Sequence, residues 1–395
     1  MKVTEIKIQG IGGIDDISIQ LNPGLNLISG PNGVGKTTIL ECIIHSFSPF
    51  GSKTIRRNSG HSEGKWEISV SDSGQIYNSH ERRQFFHPYE GEEFGTGNLP
   101  RLFTKKVVIF KSNRPLNYVP VHSIERDPDS NENTIAQQLL AETYDNDIKS
   151  WFLGRFLWSA HENLLTQEQI ENFELAKECF GIIDENVSFK AVNPTTHEIL
   201  LHSFEKEIYF EYLSSGYKSV LIMLLGLIKQ IEYRFKDPTM KVRDFDGILL
   251  IDEADMHLHP QWQGKLVKVL KHVVPNAQII ATTHSPHMIQ AAEPNEIIPL
   301  NHNEFQQVFI RELPSSVYGF QGWTIEEILT DVMGLSETKS DLYLDTLNNF
   351  EIALSQENSE DAKNAFEVLD VMLHPKNPLR TILKLQLATM GGEMS

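Results

Sequence analysis

The stretch from Leu25 to Leu40 reads LNLISGPNGVGKTTIL. Its first five residues are apolar enough for a buried strand. They run into Gly30-Pro31-Asn32-Gly33-Val34-Gly35-Lys36-Thr37, which fits the G-x-x-x-x-G-K-[ST] phosphate loop. Successive backbone N–H groups can wrap an anion only if the loop is tight, and glycine at 30, 33 and 35 tolerates the positive φ that this requires. Thr37, Thr38, Ile39 and Leu40 then open a helix whose N-terminus turns its unpaired amides and positive dipole end toward the phosphates. Lys36 is placed for the β- and γ-phosphates of ATP, and the Thr37 hydroxyl for Mg²⁺. An ordinary glycine turn is the plainer account, but it does not require a strand before and a helix after.

Working outward, Val3 to Ile8 and Ile14 to Leu21 alternate as two strands joined through Gly10, Gly12 and Gly13. After the helix from Thr37 to about His45 comes a polar, glycine-rich and basic region from Ser46 to Pro100. Within it, Lys65–Val70 and Gln75–Tyr77 are expected to form a hairpin across Ser71-Asp72-Ser73-Gly74. Its basic clusters, Lys53 with Arg56 and Arg57 and Arg82 with Arg83, read as solvated loop faces. KKVVIF, Lys105–Phe110, is a strand. From about Glu132 to Phe180 the pattern is helical, with Trp151, Phe152, Phe156 and Trp158 as large apolar faces. Val187–Tyr212 returns to strands, and Val220–Ile231, apolar on nearly every side, predicts a buried helix.

Asp246–Pro260, DGILLIDEADMHLHP, carries the second piece of chemistry. Ile248–Ile251 is a continuous apolar run, as expected of a central parallel strand buried on both faces. Asp252 and Glu253 follow at its carboxyl end, where open α/β sheets bind their ligands. Asp252 is the candidate Mg²⁺ group and Glu253 the candidate base for the attacking water. Another strand, Gln278–Thr282, ends in Thr283-His284-Ser285-Pro286, placing His284 to touch a γ-phosphate; a core or capping histidine is the competing account. His257 and His259, with His284 and His287, invite a metal reading, but the spacing lacks the i, i+4 pair of a zinc protease and no thiolate accompanies it.

Composition sets the bounds. The chain has 395 residues, 40% of them hydrophobic, which is enough for one bilobal domain or two smaller ones with a real core. Cys42 and Cys179 are the only cysteines, which fits a reduced, cytoplasmic setting better than a disulfide framework. The longest apolar run, Ser219–Ile228, is too short for a membrane span. A formal charge of −18 makes the surface as a whole repel nucleic acid, so any contact with it belongs to a local patch or to a partner.

These segments together resemble the nucleotide-binding heads of ABC-type ATPases, in the branch that includes the OLD-family nucleases and the Rad50/SMC proteins. GPNGVGKT is similar to Walker A, ILLIDE to Walker B, and Leu213-Ser214-Ser215-Gly216-Tyr217 to the LSGGQ signature, with Ser215 replacing its first glycine and Tyr217 its glutamine. ADMHLHP occupies the D-loop, and TTHSP carries the switch histidine at His284. The resemblance implies an α/β P-loop head that dimerises head to tail, each ATP lying between Walker A of one subunit and Ser214, Ser215 and Gly216 of the other. It also implies a head over residues 1–300, with a nucleotide lobe at about 1–115 and 240–300 and a helical, signature-bearing lobe at about 116–239. A C-terminal helical region would fill 301–395, with a capping box at Thr324-Ile325-Glu326-Glu327.

The departures from this family narrow the reading. Rad50 and SMC proteins insert a long coiled coil between Walker A and the signature, and this chain has none. OLD nucleases continue into a metal-binding TOPRIM domain for which the tail is too short. Gln75 and Gln84 are poorly placed for the Q-loop glutamine of the transporters; Asn113 or Arg114 could serve that gap. DGILLIDEADMHLHPQWQ, with GWTIEEILTDVMG, is similar to the stand-alone ATPases of bacterial antiphage defence, those of the Septu system above all. That resemblance implies a homodimer or higher homo-oligomer and a separately encoded HNH nuclease held in check, with nucleic acid reached through the complex. The alternative is a repair or recombination ATPase that engages DNA directly through Lys53–Arg57 and Lys265–Lys271.

Overall fold

The computed structural model describes residues 1–95, 97, 99–112, 120–121, 123–124, 126–129, 131–141, 147–314, 318–335 and 337–389. Its strands are β1 Lys2–Ile11, β2 Ile14–Gln20, β3 Leu25–Ser29, β4 Gly64–Asp72, β5 Gln75–Arg83, β6 Val107–Phe110, β7 Val187–Val192, β8 Ile199–Ser203, β9 Lys206–Tyr209, β10 Ile248–Ile251, β11 Gln278–Thr282, β12 Ile297–His302 and β13 Val308–Ile310. Its helices are α1 Lys36–Ser46, α2 Leu99–Phe103, α3 Glu132–Leu140, α4 Ile148–Ser159, α5 Gln167–Ile183, α6 Ser215–Arg234, α7 Pro260–Val273, α8 Pro286–Ala291, α9 Ile325–Glu327, α10 Asp341–Ser355, α11 Ser359–Met372 and α12 Pro378–Thr389. They fall into two compact units, Met1–Gly334 and Leu335–Ser395.

In the first unit a six-stranded sheet, ordered β13-β12-β3-β11-β10-β6, is parallel except for the β12–β13 pair. Its central strands are buried on both faces, which is why ILLI and QIIAT carry no polar alternation. The period of two sorts their side chains between two cores. Ile248, Leu250, Ile280 and Ile28 meet α1 and the antiparallel sheet β2-β1-β4-β5, while Leu249, Ile251, Ile279 and Leu27 meet the helical layer that includes α4–α8. A third, antiparallel sheet, β7-β8-β9, leads into the buried helix α6.

Several expectations are corrected here. β5 does not stop at Tyr77 but runs to Arg83, because Ser79, Glu81 and Arg83 alternate inward from a stretch that reads as polar. The Arg83 guanidinium is wholly buried, 4.6 Å from the centre of the Trp66 ring, so it is no solvated loop cation. Arg56 and Arg57 are likewise occupied, donating to the carbonyls of Glu90 and Gly91 and of Gln84, Asn58 and His61. The chain beyond residue 300 is not purely helical: β12 crosses that position because it pairs with β3, and β13 follows it. Phe320, Ile328, Val332 and Met333 then join the main core, so the first unit continues to Gly334.

The Thr324 capping box is present and opens α9. The second unit is made of α10, α11 and α12, with its own small core of Phe350, Ala353, Ala362, Leu369, Leu373 and Leu383. Both cysteines are buried and unpaired. Among the described residues no helix is long and apolar enough to cross a membrane.

Candidate functional site

The phosphate loop joins β3 to α1 at the carboxyl edge of the six-stranded sheet. Gly30 has φ +142, and a Cβ there would stand 2.3 Å from the Leu300 carbonyl oxygen, so only glycine fits between β3 and β12. Gly35, with φ +95, forms the left-handed N-cap of α1. Asn32 and Gly33 are exposed at the loop tip and Thr37 at the helix start, while Thr38 lies beneath the β1–β2 turn at Gly12. The Lys36 ammonium folds back over the loop and donates to the Gly30 and Pro31 carbonyls, each at 2.9 Å. Burial lowers its pKa to about 8 against the opposing pull of Asp252, Asp255 and Glu253.

The parallel register brings the ends of β10 and β11 to this loop. Thr37 Oγ1 lies 3.2 Å from Asp252 Oδ1, and the Thr282 hydroxyl donates to the same oxygen at 2.7 Å. A hydroxyl and a carboxylate at that separation form a hard-oxygen pair suited to Mg²⁺, which needs few protein ligands when phosphates supply the rest. Among the described residues no group of three His, Cys, Asp or Glu could hold a metal by itself.

Glu253 has φ +47, a strained value for a residue with a side chain, and its N–H donates to Thr282 Oγ1 at 2.7 Å. One threonine hydroxyl therefore fixes both acids. Asp255 accepts from the Thr283 hydroxyl at 2.6 Å and from the His284 N–H at 2.9 Å, which ties the histidine loop to the segment after β10. His284 is half-buried. Burial, then the Lys36 charge, lower its pKa, so the imidazole is neutral at pH 7. Thr282 and Asp255 escaped the sequence reading. The only signal was their place, one at the last position of a strand and the other two residues after Glu253.

The structure brings Lys36, Thr37, Asp252, Glu253 and His284 to one sheet edge. Ser214 is the N-cap of α6, accepting from the Tyr217 N–H at 3.4 Å, and Ser214 and Ser215 are exposed. Gly216 is buried: a Cβ there would lie 3.3 Å from the His257 oxygen and the His259 nitrogen. Tyr217 donates to the Phe180 carbonyl and sits edge-on to Trp262 at 5.3 Å, so it serves the core rather than a nucleotide. Among the described residues no hydrogen bond joins 214–216 to 30–38 within the chain. His259 caps α7. Asn113 and Arg114 lie outside the described residues.

The model of the AAA ATPase domain family matches residues 1–90 and 103–289, which hold the phosphate loop, both acids and His284. The Septu protein PtuA of Bacillus thuringiensis is 47% identical over 98% of this chain and 98% of its own length. The chain belongs to the PtuA family of Septu proteins. A second PtuA, from Bacillus mycoides, is 26% identical over 80% of this chain, which spans 42% of that longer relative. Among solved structures, an SMC head bound to the C-terminal winged-helix domain of ScpA aligns with 79% of the chain and 98% of its own, at 15% identity and a TM-score of 0.44. The ATPase domain of this chain is a mixed α/β head, and the site just described lies at the carboxyl edge of its parallel sheet.

Proposed function

We propose that this chain is an ATP-binding and ATP-hydrolysing switch of a bacterial antiphage defence system, acting in the cytoplasm. It dimerises head to tail and controls a separately encoded HNH-type nuclease. The observation that carries the reading is the meeting of Lys36, Thr37 and Asp252 with Glu253 and a neutral His284 at one sheet edge. In this reading the loop amides and Lys36 bind the triphosphate, and Thr37 and Asp252 hold Mg²⁺. Glu253 takes the proton of the attacking water, and His284 donates a hydrogen bond to the γ-phosphate.

The exposure of Ser214 and Ser215 at the α6 N-terminus, with no hydrogen bond to the phosphate loop among the described residues, supports a composite site. An exposed helix N-terminus is an anion site in search of a phosphate, and a second subunit supplies one. Direct engagement of DNA is the weaker reading. Of its proposed contacts, Arg56 and Arg57 are tied to carbonyls, Lys265 donates to the Ile183 carbonyl, and Lys271 pairs with Glu296 at 2.7 Å. ATP turnover by the purified wild type, by Lys36→Ala and by Glu253→Gln tests the proposal. It expects full turnover only in the wild type, residual turnover in Glu253→Gln, and ATP binding in both. A Lys36→Ala protein that hydrolyses ATP at the wild-type rate would refute it.

A further inference from the structure

Thr37, Glu41 and His45 recur every four residues along α1 and so lie on one face of it. Thr37 meets Asp252, the residue that follows β10. Glu41 meets Lys111, the residue that follows β6, at 3.1 Å between Oε1 and Nζ. The two strands are parallel neighbours with Ile251 opposite Phe110, and the Asp252 N–H donates to the Phe110 oxygen at 2.8 Å. Asp252 and Lys111 therefore occupy matching positions at the sheet edge. The phosphate-loop helix holds both, the first through a hydroxyl and the second through a carboxylate.

Lys111 reaches further. Its ammonium also donates to the carbonyl of Leu140, the last residue of α3, at 3.1 Å. That carbonyl belongs to the negative end of the α3 dipole, which favours a cation. The Glu41–Lys111 pair is mostly buried, each side chain 15% exposed, so its geometry is fixed rather than fluctuating in water. Burial pushes the Glu41 carboxyl up, but the His45 imidazole 3.5 Å away and the charge of Lys111 outweigh it and hold it below its ordinary value. One lysine thus pins the phosphate-loop helix, the end of β6 and the C-terminus of α3 together.

We infer that Lys111 is a positioning residue of the ATPase: through Glu41 and Leu140 it fixes α3 to the phosphate-loop helix. Rearrangement at Thr37 and Asp252 on nucleotide binding is thereby passed to α3. The inference rests on the ATPase reading above. It assigns Lys111 no contact with nucleotide, so its loss falls on hydrolysis and coupling rather than on ATP affinity.

Full-length Lys111→Met, Lys111→Arg and Glu41→Gln are compared with wild type in ATP binding by calorimetry, in steady-state turnover, and in amide exchange over α3 with and without ATP. Lys111→Met is expected to bind ATP within about threefold of wild type and to lose at least about tenfold in kcat, because small misplacements of a reacting group carry such penalties. It is also expected to lose the exchange protection that ATP gives residues 132–140 in the wild type. Lys111→Arg, which keeps the charge and the reach, should restore most of both, and Glu41→Gln should fall between. A Lys111→Met protein with wild-type kcat and wild-type protection overturns the inference. So does equal failure of Lys111→Arg, or a loss of ATP affinity as large as the loss of kcat. Wild-type protein that binds no ATP overturns the ATPase reading itself, an outcome distinct from these.

Discussion

Lys36 offers a test with a sign and a size. Burial lowers its pKa to about 8, whereas in an unfolded chain it has the ordinary value of 10.5. Between those values the unfolded chain binds more protons than the folded one, so the stability of the nucleotide-free protein rises with pH across that window. ATP affinity moves the other way, because the triphosphate needs the charged ammonium. With a pKa of about 8 the group is charged in roughly 90% of molecules at pH 7, half at pH 8 and roughly 10% at pH 9.

The dissociation constant for MgATP should therefore rise about tenfold from pH 7 to pH 9, since the terminal phosphate, with a pKa of about 6, is already ionised at the start. Binding at pH 8 should also take up protons, detected by calorimetry in buffers of different ionisation enthalpy. Lys36→Arg, charged throughout, should show a flat profile whatever its absolute affinity. A wild-type affinity that is flat between pH 7 and 9, or a slope that persists in Lys36→Arg, would refute the reasoning.

Three further outcomes follow from the same geometry. Glu253→Gln should bind ATP normally and turn it over about 10²- to 10⁴-fold more slowly, the range for loss of a general base; single-turnover kinetics would decide. Thr282→Val removes the hydroxyl that holds Asp252 Oδ1 and the Glu253 N–H. It should lower stability by about 1–3 kcal/mol, the cost of leaving such groups unpaired, with a matching drop in turnover, and denaturant titration beside a rate assay would expose any neutral outcome. Removing 335–395 should leave ATP binding intact and abolish recruitment of the nuclease, since that unit has its own core and carries no phosphate chemistry. A truncated protein that still captures the nuclease would contradict this. The cut is placed at 335 because Ile328, Val332 and Met333 pack in the main core.

What was legible in the sequence was what depends on local chemistry. The phosphate loop needs glycine where φ is positive and a lysine and threonine at fixed offsets. ILLI and the IIA of QIIAT are short apolar runs without helical spacing, which suits strands of a sheet covered on both faces. Segments that read as polar and outward-facing were less legible. β5 hid its inward face behind Ser79, Glu81 and Arg83, whose burial is made tolerable by neighbours distant in sequence, such as the Trp66 ring and the Gly97 amide. Asp255 and Thr282 were invisible for the same reason: each acts through a partner that only the parallel register brings near. Gly216 was taken for a phosphate contact alone, yet it is also where α6 closes against His257 and His259. An aspartate there would disturb that packing as well as any phosphate.

The composite site is best tested at Ser215, which is exposed at the first position of α6. Ser215→Glu favours the helix dipole, so the helix keeps its fold, while the carboxylate repels a γ-phosphate brought by another subunit. Neither Ser215→Glu nor Lys36→Ala should hydrolyse ATP alone. Mixed in equal amounts, half the dimers are hybrids with one site doubly damaged and the other intact, so the account predicts about a quarter of wild-type turnover if the sites fire independently. A mixture as inactive as its components, alongside proof that hybrids have formed, would contradict the shared site; so would normal hydrolysis by Ser215→Glu alone.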